Sequence, residues 1–326
     1  MMQQHERFVL FDGHALIYRA YHAFPPLTDP SGMMVNAVFG FSKILLTTIR
    51  DLAPQHLAVA FDHKSKTKRS ETYKEYKAQR PEMPDDLKPQ IELIKEVVQV
   101  LNIPQFIEPG FEADDIIGTI STQLSDESKA VETGKKGQQF LTSIVTGDKD
   151  LFQLVDEYTH VLVPARDKNQ QGLIEYDQAG VERKMSVRAN QIIDLKALMG
   201  DQSDNIPGVK GVGAKTAVAL LKQYQTLDAL YEAVSIVDGQ GQSPDHPLLK
   251  GAVLKKLIAD KKMAYLSQEL VTIDRSVTVP FDIEKCILSS YDKSKAVNLF
   301  TALNFKSVLP LLPKDSFELA VQNALF

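Results

Sequence analysis

Through residue 185, short apolar runs alternate with amphipathic stretches. Phe8–Phe11, Leu57–Phe61, Pro104–Ile107 and Leu141–Thr146 have the length and the apolar or β-branched content of buried strands. Between them, Val38–Asp51, Pro89–Leu101 and Asp114–Leu124 carry apolar residues at helical spacing. The alternation predicts βαβ units, hence an α/β fold with a mainly parallel sheet covered by helices. Val161–Pro164 and Gly172–Tyr176 fit a peripheral hairpin or edge. From Ser186 onward the pattern is mostly helical, broken by Gly208–Gly213. Polar, glycine-containing Ser125–Gln139 and Val237–His246 are predicted loops, and Pro310–Pro313 ends the last helix before a short tail, Lys314–Phe326. The expected division is a catalytic domain over 1–185, a helical domain over 186–309 and a tail over 310–326.

Acidic residues fall where these strands end. Asp12 follows the first strand, Asp62 the second, and Asp148 and Asp150 the fourth; Glu112, Asp114 and Asp115 open the helix beyond the third. An open parallel sheet presents the carboxyl ends of its strands to one crevice, so four segments bring seven carboxylates to one edge. Singly, each has a plain alternative as a turn residue, a helix cap or a favourable charge at a helix N-terminus. Together they would raise one another's pKa values unless cations intervened. Oxygen ligands without His or Cys favour Mg²⁺ or Mn²⁺ over zinc, and Mg²⁺ engages phosphates, which points to phosphoryl transfer.

Gly208, Lys210, Gly211 and Gly213 form a glycine-bounded connection between two helical patterns, with Lys215 just after it. Glycine amides at a helix N-terminus can hold an anion, so this hairpin is expected to grip DNA backbone without reading bases. Asp201 and Asp204 precede it and would add two ligands to the acidic pocket. A basic arm starts beside Asp62: residues 63–80 hold seven Lys or Arg against two Glu, with Tyr73 and Tyr76 interleaved. Its cations suit phosphates and its tyrosines an unpaired base, although a solvated face of Glu–Lys pairs is the plain alternative.

The net charge of −5 argues by itself against a nucleic-acid partner, and only this uneven distribution reverses the argument. One cysteine, Cys286, excludes an intramolecular disulfide and a cysteine zinc site. With no apolar run long enough to span a bilayer and no signal-peptide pattern, secreted and membrane readings fall away and the cytoplasm is expected.

These residues carry a resemblance. FDGHALIYRAYHAFPPL (11–27), AFDHKSKTKRSETYKEYKAQRPEMPDDL (60–87), GFEADDIIGT (110–119), TGDKDLFQLV (146–155) and LMGDQSDNIPGVKGVGAKTA (198–217) occur in this order. The chain resembles the 5′ nuclease (flap-endonuclease-like) family, in the branch formed by the 5′→3′ exonuclease domain of bacterial DNA polymerase I. The resemblance covers residues 8–305 at most and fades after Ser289. It implies a PIN-like core, a helical arch over about residues 63–90 and a helix–three-turn–helix element (helix–hairpin–helix).

By motif position, Asp12, Asp62, Glu112, Asp114 and Asp115 would serve a first metal, and Asp148, Asp150, Asp201 and Asp204 a second. Lys77 and Arg69 would stabilise the scissile phosphate, and Tyr76 would stack on a base. Arg19, Lys68 and Arg80 join the hairpin residues as expected DNA contacts. Lys68 stands where an aromatic often precedes the arginine. The implied activity is Mg²⁺-dependent hydrolysis at DNA 5′ ends and flaps and at RNA primers, giving a 5′-phosphate and a 3′-hydroxyl. Mn²⁺ would substitute, and a monovalent cation is expected at the hairpin. A PIN-type ribonuclease and a non-catalytic junction-binding protein are the rivals. The expected setting is a monomer in a bacterial cytoplasm, at the nucleoid, either a stand-alone exonuclease or a separated polymerase domain. Gln322–Phe326 resembles the Gln-x-x-Leu-Phe peptide that binds sliding clamps; a self-packed terminal helix is the alternative.

Overall fold

The computed structural model describes residues 5–165, 172–240, 247–288 and 291–325. Strand β1 (Glu6–Asp12) leads into α1 (Gly13–Ala23) and α2 (Asn36–Leu52), followed by β2 (His56–Ala60) and the short helix α3 (Lys68–Thr72). Next come α4 (Lys88–Val100), β3 (Gln105–Phe106), α5 (Ala113–Glu132) and β4 (Phe140–Val145). With β5 (Thr159–Pro164) and β6 (Leu173–Tyr176) they make a six-stranded sheet ordered β3-β2-β1-β4-β5-β6. All pairings are parallel except β5–β6, the expected edge hairpin. The helical region holds α6 (Gln178–Met185), α7 (Ile192–Met199), α8 (Ala214–Tyr224), α9 (Leu227–Gln240), α10 (Gly251–Ala259), α11 (Lys261–Val271), α12 (Lys293–Ala302) and α13 (Ser316–Leu325).

The central strands are mainly apolar because both faces of the sheet are covered there, whereas the edge strand β6 is only partly buried and carries exposed Glu175. Phe8 and Leu10 pack on one side with Ile116, Ile117 and Ile120 of α5, while Val9 and Phe11 pack on the other with Leu16, Leu45 and Leu46. Val209, Val212, Leu220 and Leu257 belong to the same apolar cluster as Phe8 and Leu10, so the helical region shares a core with the sheet. From β1 the chain runs outward through β2 to β3, then crosses to β4 on the other side of β1. That reversal opens a crevice at the carboxyl end of β1, where Asp12 stands.

Three expectations change. Helix α5 continues through Ser125 to Glu132, so the loop expected over 125–139 begins only at Thr133. Small buried Ser125 and Ser128 let the helix pack; the Ser128 hydroxyl donates to the Leu124 carbonyl (2.8 Å) and accepts the Phe140 N–H (2.9 Å). Helix α9 reaches Gln240, and residues 241–246 of the second expected loop lie outside the described residues. The tail is helical: Asp315 accepts the Glu318 N–H (2.8 Å) at the start of α13, and Lys293 pairs with Glu318 at 2.7 Å. Gln322–Leu325 lie on its last turn, their side chains and Phe326 outside the described set. Among the described residues, no helix is long and apolar enough to cross a membrane.

Candidate active site

Each strand-end carboxylate is fixed by the turn that follows its strand. Asp12 ends β1 and caps α1: its carboxylate accepts the Ala15 N–H (3.1 Å) and the Thr146 hydroxyl (2.7 Å). The same Thr146 oxygen accepts the Asp148 N–H (2.9 Å), linking the ends of β1 and β4. Asp62 accepts the Ala113 N–H (2.8 Å), while its own N–H donates to His14 Nδ1 (2.9 Å). Glu112 is the N-cap of α5, with Asp114 and Asp115 in the first turn.

Asp12, Asp62, Glu112, Asp114 and Asp148 line one cavity of about 370 Å³, together with His14, Lys77 and Arg80. A larger cavity of about 880 Å³ contains Asp148, Asp150 and Asp201 with Arg19, Lys149 and Lys196. Asp115 lines a third, smaller space with Lys68 and Asp274, and its carboxylate accepts the Glu112 and Asp274 amides (3.1 and 2.9 Å). Asp204 is buried beneath the arm. Seven of the nine predicted acids therefore share two adjoining cavities, while Asp115 and Asp204 do not open into them.

The arm's cations are interleaved with the acids. Of the arm only Lys68–Thr72 is α-helical, capped by Thr67, and Tyr73–Arg80 runs mainly in turns laid across the pocket. Buried Arg69 bonds Glu112 (2.9 Å), Asp114 (3.3 Å) and Asp115 (2.5 Å). Burial works against its charge, but Asp114, Asp115 and Glu112 outweigh it and hold the guanidinium charged. Lys77 donates to Glu112 at 2.7 Å and lies 3.7 Å from Asp204, which also pairs with Arg80 at 2.5 Å. Lys196 bridges Asp150 and, at 2.6 Å, Asp201. Although burial opposes it, Lys196 and hydrogen bonds from Ser203 hold the Asp201 carboxyl at about 2.

Consequently, among the described residues no three Asp, Glu, His or Cys side chains converge closely enough to hold a metal ion. The donor chemistry nevertheless fits a hard divalent cation along the smaller cavity. Burial pushes Asp12 up to about 7, the charges of Asp148 and Asp62 adding to it against the Thr146 hydrogen bond. Asp114 is raised to about 6, chiefly by burial and only partly offset by Arg69. These oxygens carry charge that the protein's own cations do not fully balance.

The expected DNA contacts divide. Arg19 donates to the Pro164 and Ala165 carbonyls (2.5 and 2.8 Å), tying α1 to the end of β5. Tyr76 is buried, its hydroxyl donating to Glu112 (3.1 Å), so stacking on a base requires the arm to move. The Lys68 ammonium lies 4.2 Å from the Phe111 ring centre and 3.8 Å from Asp274, which gives this position an aromatic partner after all. Lys210, Gly211, Gly213 and Lys215 are exposed, while Gly208 is buried against Gly200. His14, Thr146 and Lys196 were not anticipated. The sequence signal for Lys196 was a lysine inside the otherwise apolar run Leu195–Leu198; the other two had none.

The model of the 5′-3′ exonuclease N-terminal resolvase-like domain matches residues 7–186, and that of the 5′-3′ exonuclease C-terminal SAM fold matches residues 187–294. The chain belongs to the 5′–3′ exonuclease family and is a nuclease of that class. It is 35% identical over 308 residues to DNA polymerase I of Caldicellulosiruptor bescii, covering 94% of this chain and 33% of that protein. With DNA polymerase I of Chloroflexus aurantiacus it shares 40% identity over 300 residues, covering 91% and 29%. The chain thus spans about a third of the length of these relatives. Its fold is similar to that of a bacteriophage T5 flap endonuclease solved as a pseudo-enzyme–product complex with DNA and metal ions. That match has a TM-score of 0.60 at 20% identity, over 94% of this chain and 96% of the other.

Proposed function

We propose that the chain is a metal-dependent, structure-specific 5′ nuclease that hydrolyses phosphodiesters at DNA 5′ ends and flaps and at RNA primers on DNA. The observation that carries this reading is the cavity at the switch point of the sheet, where acids from four segments meet Lys77 and Arg80. Asp12, Asp62, Glu112, Asp114 and Asp148 would hold Mg²⁺, or Mn²⁺ in its place, with Asp150 and Asp201 serving the adjoining cavity. When bound, such ions supply Lewis acidity and an activated water for in-line attack.

The protein's own groups position the strand. Lys77 and Arg69 now neutralise carboxylates, and in the working complex they would exchange those partners for oxygens of the scissile phosphate. Tyr76 would leave Glu112 to stack on the displaced base. The exposed hairpin at Lys210–Lys215 would hold the duplex by its backbone, restricting cutting to junctions. A sliding clamp would take Gln322–Phe326, and a peptide of residues 314–326 that shows calorimetric binding to a bacterial clamp would support this.

The test is cleavage of a 5′-labelled flap duplex beside the matched single strand, with Mg²⁺ and with EDTA. Metal-dependent cutting near the junction, with the single strand spared, is expected. Asp114→Ala should lose cleavage while retaining flap binding; wild-type cutting by that variant would overturn the metal-site assignment.

A further inference from the structure

Helix α10 holds the hairpin from outside. Of the six hairpin amides, four are engaged: Gly208 donates to the buried Ser267 hydroxyl (3.0 Å), Val209 to the Leu198 carbonyl (2.9 Å), Lys210 to the Asp260 carboxylate (2.8 Å) and Val212 to the Val209 carbonyl (3.0 Å). Those of Gly211 and Gly213 have no partner among the described residues. One helical turn before Asp260, half-buried Lys256 donates to the Gly211 carbonyl at 2.8 Å. Gly211 has φ +77°, and a Cβ there would lie 2.7 Å from the Lys256 nitrogen, so the ammonium fills the space a side chain would take. Among the described residues Lys256 forms no ion pair with a carboxylate.

We propose that Lys256 is a phosphate-binding residue of the hairpin, one that sequence spacing did not reveal because it lies 45 positions beyond Gly211. The proposal rests on the duplex grip described above and names a residue that carries it. The ammonium offsets the one hairpin carbonyl it touches, whose negative end repels phosphate, and keeps two further N–H donors beside the unpartnered Gly211 and Gly213 amides. It also places on that carbonyl the positive charge that the expected monovalent cation would bring. Asp260, the C-cap of α10 one turn beyond Lys256, fixes the neighbouring peptide, so the charge and the open amides hold a constant relation.

The experiment measures binding of the full chain to a blunt duplex without single strand, in EDTA, across a series of KCl concentrations. Loss of one phosphate contact makes the plot of log affinity against log salt shallower by about 0.9. Lys256→Ala and Lys256→Met should show that change and bind on the order of tenfold more weakly at low salt, and Lys256→Arg should restore both. Weaker binding with an unchanged slope would make Lys256 a structural clamp alone and overturn the proposal, as would unaltered binding. Lys215→Ala, measured in parallel, separates the two readings. If it weakens binding and Lys256→Ala does not, only the Lys256 assignment falls; if neither does, the hairpin does not grip duplex.

Discussion

At the end of β1, burial pushes the Asp12 carboxyl up to about 7, and the charges of Asp148 and Asp62 push the same way. The Thr146 hydroxyl and the Ala15 amide oppose that shift without cancelling it. Such a group is retained against its own cost to stability when function needs the charge. Asp12→Asn should therefore raise stability in EDTA at pH 8 by about 1–2 kcal/mol, seen as a higher melting temperature, while abolishing Mg²⁺-dependent cleavage. An unchanged or lowered melting temperature would mean that the carboxylate is already compensated. Arg69 is the converse case, a buried cation held by Glu112, Asp114 and Asp115. Removing one partner of a buried ionic network costs about 3–5 kcal/mol because the others are left uncompensated. Arg69→Gln should lose that much stability in EDTA and recover part of it when Ca²⁺ is added, as followed by thermal melts. Equal losses with and without the ion would show that the cation and Arg69 do not share these oxygens.

Among the elements, the arm and the hairpin have different physical characters. The arm is pinned by charge: Lys77 takes φ +55°, its N–H donates to the Asp204 carbonyl (2.9 Å), and Arg80 pairs with the same residue. Charge pairs of this kind yield to competing ions, which lets a basic segment dock and release. The hairpin is pinned by packing. Gly208 has φ +62°, and a Cβ on it would lie 2.2 Å from the Gly200 nitrogen, so only glycine permits the two turns to touch. Gly208→Ala should weaken duplex binding at least tenfold, judged by anisotropy with a blunt duplex, and leave the strand-end acids in place. The carboxylate cavity was legible from sequence because strand ends are local features: an apolar run followed by Asp is visible without knowing the fold. The ion pairs were not legible. Arg69 meets acids 43 to 46 residues away, and no periodicity reports a contact at that separation.

Over the whole molecule, Val209, Val212 and Leu257 of the helical region share one apolar cluster with Phe8 and Leu10 of the sheet. Two matched family domains are thus joined by a continuous core. A single unfolding transition should follow, with far- and near-ultraviolet circular dichroism coincident, and two resolved transitions would show that the regions are energetically separate. The alternation of apolar runs and helical stretches by itself determined the α/β order, the edge hairpin and the carboxyl-edge crevice, because strand and helix periods are local and burial on both faces demands apolar strands. Glycine spacing likewise marked the hairpin. Only the tertiary structure decided that Asp115 turns behind Arg69, that Lys196 stands between Asp150 and Asp201, that α5 runs on to Glu132 and that Lys256 reaches Gly211. Those outcomes depend on which distant side chain neutralises a buried charge or fills a gap, and that choice is made when the elements pack together.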